Sequence, residues 1–98
     1  MEKKNNELEK FRAQIDIIDQ AILELIGKRH SISNSIGEVK KGLKLKILNQ
    51  AREKELLDNI KSKARRLNLN EKHIEEVWLN IIKESRKVQK KVRAKNGE

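Results

Sequence analysis

Seven polar side chains lie on or beside the apolar stripes of this 98-residue chain: Arg12, Arg29, Lys40, Arg52, Glu53, Ser85 and Gln89. Four are cations; the others are a carboxylate, a hydroxyl and an amide. A pocket built from such groups suits a small dianion that also carries hydroxyl or ether oxygens. It does not suit nucleophilic catalysis, because Ser85 has no histidine positioned as its base. It does not suit metal chemistry either, since no carboxylate–histidine cluster has ligand spacing, and His30 and His73 read as surface or cap-region residues. No metal or other cofactor is expected.

Arg29 is the sharpest of these signals. Apolar residues recur at Leu8, Phe11, Ile15, Ile18, Ile22, Leu25, Ile32, Ile36 and Val39, in alternating steps of three and four, and Arg29 fills the one place in the series taken by a charge. An arginine in such a seam loses hydration, so it needs an anionic partner or a wet pocket. Lys40 lies eleven residues on, about three helical turns, so the two cations share a face and could grip two ends of one small molecule. Arg12 is 28 residues from Lys40, roughly 42 Å along a helix axis, and only a second chain running the other way could bring it near. For any one of these groups a satisfied ion pair or a snorkelling side chain is the plain alternative. Seven of them on three helices point to a site.

The elements that must position them are helices. With no proline, four glycines, aromatics limited to Phe11 and Trp78, and Ile, Leu and Val set among 40% charged residues, the chain has the composition of an all-α domain. A single domain over 1–98 is expected, with helices at approximately 6–41, 49–67 and 70–93. Asn5 or Asn6, Asn49 and Asn70 are the expected N-caps, and Gly42 the left-handed stop of the first helix. Gly27 and Gly37 interrupt that helix, which implies close backbone approach or room for a ligand; for Gly27 a tolerated neutral change is an equal reading. A first helix of roughly 50 Å outruns the other two, so half of its seam needs cover. An antiparallel homodimer would supply it.

The formal net charge of +9 raises a nucleic-acid reading, but the charge is dispersed and lacks an aromatic stacking set, a zinc pattern or a zipper basic region. Much of it reads as solvated helix faces, the rest as a funnel for a small anion. A basic helical dimer on RNA or DNA stays as the alternative from another class. The absence of cysteine removes disulfides and thiolate metal sites. No run approaches the roughly 20 apolar residues that cross a bilayer, so a cytoplasmic protein without membrane contact is expected.

The segments FRAQIDIIDQAILELIGKR, IGEVK, AREKELL and IIKESRKVQ, taken in order, resemble the all-helical chorismate mutases over residues 8–90. The arginine and lysine eleven apart, Arg-Glu before a leucine pair, and Glu-Ser-x-x-x-Gln carry the likeness. The resemblance implies three helices per chain, an intertwined homodimer, and the rearrangement of chorismate to prephenate on the route to phenylalanine and tyrosine. By similarity, Arg12 from the other chain and Arg29 bind the substrate's two carboxylates, with Arg52 supporting that network. Lys40 meets the enolpyruvyl carboxylate and the ether oxygen, Gln89 donates to that oxygen from the other side, Glu53 accepts from the ring hydroxyl, and Ser85 helps hold the ring carboxylate. Many family members carry aspartate where Asn49 stands, close to the substrate hydroxyl; as a backbone contact or helix cap in this substrate-binding position asparagine serves equally, whereas a role for the charge would cost affinity.

A pericyclic reaction needs no acid, base or nucleophile, so restriction of the reactive conformer and stabilisation of charge on the ether oxygen are what the implied residues can supply. An amide donor at position 89 works at every ordinary pH. Related members remove pyruvate from isochorismate on the same scaffold, which is the alternative within the family. A free-standing enzyme is the simple expectation, and a domain excised from a longer protein is the alternative.

Overall fold

The computed structural model describes residues 2–95, which form three α-helices: α1 (Glu2–Gly42), α2 (Gln50–Arg66) and α3 (Glu71–Lys95). Among the described residues there is no strand, and the fold is all-α. α1 starts upstream of the expected cap, so Asn5 and Asn6 lie inside the helix. A run of glutamate, lysine and leucine around them outweighs the small helix penalty of asparagine.

The two later caps are as the sequence predicts. Asn49 Oδ1 accepts from Arg52 N at 3.0 Å and Asn70 Oδ1 accepts from His73 N at 3.0 Å, each satisfying an amide with no partner inside its own helix. Glu53 and Glu71 stand in the first turns of α2 and α3, where a carboxylate complements the helix dipole.

The end of α1 differs from expectation. Gly42 is still helical, and the left-handed residue is Lys44, with φ of 58°. Leu45 N donates to Lys40 O at 2.8 Å and Lys44 N to Lys41 O at 3.1 Å, the paired bonds of a Schellman motif. α2 ends the same way, with Asn68 at φ of 57° and Leu69 N donating to Ala64 O at 2.9 Å. Asparagine tolerates that conformation, whereas lysine is strained by its Cβ. Lys44→Gly is therefore expected to raise unfolding stability by about 1 kcal/mol, measured by urea denaturation. A loss of stability would show that the Lys44 side chain holds the loop.

The chain divides into two compact units, Met1–Ser31 and Ile32–Glu98. The first contains only α1 residues, and its apolar stripe faces outward: Leu8, Phe11, Ile15, Ile18, Ile22 and Leu25 are all exposed, Phe11 at 63%. The second holds the rest of α1 with α2 and α3. There α2 and α3 pack as an antiparallel pair, registered by ion pairs at Arg65–Glu71, Lys61–Glu75 and Glu53–Arg86, each at 3.1 Å. Partly exposed pairs of this kind contribute at most about 1 kcal/mol each, so they mark register more than they hold the hairpin. Burial is concentrated at Ala64, Ile82 and Val92, with Leu56, Leu57, Ile60, Trp78 and Ile81 half-buried around them.

Gly37 brings α1 onto α3. A Cβ at this position would lie 3.1 Å from Gln89 Cα and 3.3 Å from Val92 Cβ, tighter than ordinary packing, so the absent side chain is what lets the two backbones approach. A Cβ at Gly27 would meet nothing within 4 Å. The close approach expected from the sequence is found at Gly37 and not at Gly27.

Candidate active site

Six of the eight sequence-selected residues belong to the second unit: Lys40 on α1, Asn49, Arg52 and Glu53 at the start of α2, and Ser85 and Gln89 on α3. Arg12 and Arg29 lie on the first. Arg12 is exposed and pairs with Glu9 Oε1 at 3.0 Å, one turn away; Arg29 is half-buried.

Lys40 is half-buried and its Nζ donates to Ile47 O at 2.6 Å. From the other side Arg93 Nη2 donates to Leu45 O at 2.7 Å. Two carbonyls of the α1–α2 loop are thus held by cations from two helices, which satisfies backbone acceptors outside any helix and fixes the loop. An ammonium has three donors, so Lys40 keeps capacity beyond Ile47. A cleft of about 540 Å³ lies beside it, lined by Lys40, Leu45, Lys46, Leu48, Asn49 and Gln50. A second cleft, about 380 Å³, is lined by Lys41, Lys44, Lys46, Arg93 and Leu45, so the loop region presents a strongly cationic approach.

Asn49 spends its side-chain oxygen on the cap of α2, and that cap orients the turn carrying Arg52 and Glu53. Arg52 is exposed and its guanidinium pairs with Glu55, three residues along the same helix. Glu53 turns toward α3, where its Oε2 lies 3.1 Å from Arg86 Nε. Ser85 is buried and donates to Ile81 O at 3.2 Å, so meeting a ligand carboxylate requires that bond to be exchanged.

Gln89 is the most telling of the six. It is 7% exposed, and its carboxamide oxygen is buried with no hydrogen-bond partner. Such a group costs about 1–3 kcal/mol and is rare outside sites that need it. The close approach at Gly37 explains the burial, because the α1 backbone covers α3 at this turn.

Two residues escaped the sequence reading. Ser33 is buried at 4% and stands four and seven residues before Gly37 and Lys40, on the α1 face that meets α3. Its spacing was a usable signal. Arg86 follows Ser85 directly and reaches Glu53 from another helix, and no spacing rule relates residues on two helices. Among the described residues no group of three or more His, Cys, Asp or Glu could hold a metal ion, and no helix is long and apolar enough to cross a membrane.

Residues 11–90 match the family described as chorismate mutase type II. The chain is 31% identical over 83 residues to the chorismate mutase of Methanocaldococcus jannaschii, covering 85% of this chain and 84% of that protein. It is 36% identical over 87 residues to the bifunctional chorismate mutase/prephenate dehydratase of Buchnera aphidicola subsp. Schizaphis graminum, covering 89% of this chain and 23% of the relative. Against the T-protein of Enterobacter agglomerans it is 35% identical over 79 residues, or 81% of this chain and 21% of the relative. It thus spans less than a quarter of the two longer relatives. No solved structure matches.

Proposed function

The chain belongs to the chorismate mutase type II family, and we propose that it rearranges chorismate to prephenate, in the cytoplasm, in sites shared by the two chains of an intertwined homodimer. The supply of prephenate for phenylalanine and tyrosine fits the activities that the relatives are named for. The observation that carries the reading is the burial of Gln89, whose carboxamide oxygen has no hydrogen-bond partner, on the α3 turn that meets α1 at Gly37, three residues before Lys40.

In this reading the enzyme's work is conformational and electrostatic. Arg29 and the partner subunit's Arg12 each take a substrate carboxylate and hold the flexible side chain over the ring, which converts a rarely visited conformer into the bound one. Lys40 contacts the enolpyruvyl carboxylate and the ether oxygen, and Gln89 donates its N–H to that oxygen from the other side. As the C–O bond lengthens, negative charge grows on the oxygen, and donors already in place need no reorganisation to meet it. Glu53 accepts from the ring hydroxyl, Ser85 helps hold the ring carboxylate, Asn49 keeps the α2 turn in place, and Arg52 exchanges Glu55 for the carboxylate network.

The dimer rests on the outward-facing stripe of the first unit. Leu8, Phe11, Ile15, Ile18, Ile22 and Leu25 are exposed in the single chain. Burying the half of each that remains exposed would contribute about 1 kcal/mol per residue, a drive that a second antiparallel α1 meets with the same residues. That packing also brings Arg12 of one chain toward Lys40 of the other.

The test is product identification after separate incubation with chorismate and isochorismate, across mildly acid to neutral pH. Chorismate converts to prephenate at a rate that changes little over that range, because an amide donor such as Gln89 does not change its donor state there. Pyruvate release from isochorismate instead would overturn the mutase reading in favour of a lyase. A steep loss of turnover toward neutral pH would overturn the role given to Gln89.

A further inference from the structure

We infer that Arg86 is a positioning residue for Glu53, holding one carboxylate oxygen so that the other is presented to the substrate hydroxyl. The inference deepens the mutase reading and rests on it.

Arg86 and Glu53 come from different helices, α3 and α2, and their side chains are 35% and 25% exposed. Arg86 Nε lies 3.1 Å from Glu53 Oε2, and this nitrogen is itself buried and without an aligned hydrogen bond. The distance is already that of a bond, so only a change of angle separates this ion pair from a charge-assisted hydrogen bond. Arg86 thus differs from Arg65 and Lys61, the other cations pairing α2 with α3, whose bridging nitrogens are not among the buried, unsatisfied atoms.

One turn of α3 also carries the second unsatisfied atom, Gln89 Oε1, three residues beyond Arg86. At i and i+3 these side chains are neighbours on one helix face. The same turn therefore holds the group that pins Glu53 and the amide assigned to the ether oxygen. A carboxylate free to rotate would blur the placement of the ring hydroxyl relative to Gln89; a guanidinium on Oε2 removes that freedom and leaves Oε1 as the acceptor.

The experiment is a double-mutant cycle of Arg86→Met and Glu53→Gln, read as kcat/KM for chorismate, with helix content and thermal unfolding recorded for every variant. Arg86→Met in the wild-type background is expected to lower kcat/KM about tenfold, and in the Glu53→Gln background by less than about twofold, because its effect passes through that carboxylate. Arg86→Lys keeps a cation and recovers part of the loss; it also serves if the methionine variant does not fold. An equal loss in both backgrounds, or Arg86→Met indistinguishable from wild type, overturns the inference while leaving the mutase reading standing. A wild-type protein that does not consume chorismate overturns both.

Discussion

Lys40→Met is expected to lower kcat/KM for chorismate by about 10²–10³-fold, the range seen when one preorganised donor to a developing oxyanion is removed. Methionine keeps most of the volume and the apolar stem, so the loss isolates the ammonium. Lys40 is well placed to act before the substrate arrives: its Nζ is held on Ile47 O at 2.6 Å and it lines the cleft with Asn49. Because the donor counts most when the ether oxygen carries charge, kcat should fall more than KM rises. The substitution also frees Ile47 O, so urea unfolding must accompany the kinetics. A variant within about threefold of wild type, with its fold intact, would remove Lys40 from the mechanism.

The second large effect concerns the two arginines of the first unit. Arg29→Ala and Arg12→Ala should each reduce kcat/KM by at least about 10²-fold, since truncating one partner of a buried, hydrogen-bonded charge pair typically costs 2–5 kcal/mol. Helix content should be unchanged, because alanine is the residue most favourable to helix. The two variants report on different chains. In the proposed site Arg29 would serve its own protomer, whereas Arg12, paired with Glu9 in the single chain, would leave that glutamate for the site of the partner. Circular dichroism separates a lost contact from lost structure: a variant that is inactive and unfolded says nothing about carboxylate binding.

Three helices were legible in the sequence because a 3.6-residue apolar period is a property of local order, and the caps at Asn49 and Asn70 because a capping side chain acts within three residues. The termination of α1 was misread. Gly42 looked like the left-handed stop, but that place is set by which carbonyls the last amides reach, and here the conformation falls on Lys44. For Gly37 the sequence offered close approach as one reading, and α3 supplies the contact; Gly27 carried the same reading and meets nothing. The polar site divides along the same line. Residues standing out against an apolar stripe, such as Arg29, Lys40, Ser85 and Gln89, could be picked out by periodicity. Arg86 could not, because its significance lies in Glu53, which is brought to it by the α2–α3 pairing.

Sites shared between two chains have a signature that one mixing experiment reads. Chains carrying Arg12→Ala are refolded together with chains carrying Arg29→Ala, both inactive alone, and chorismate consumption is measured at equal total protein. With random pairing, half of the dimers hold one chain of each kind, and one of the two sites in each such dimer has both arginines, so about a quarter of wild-type activity should return. Activity that stays at the level of the two parents, with mixed dimers demonstrably present, would contradict a site built from both chains.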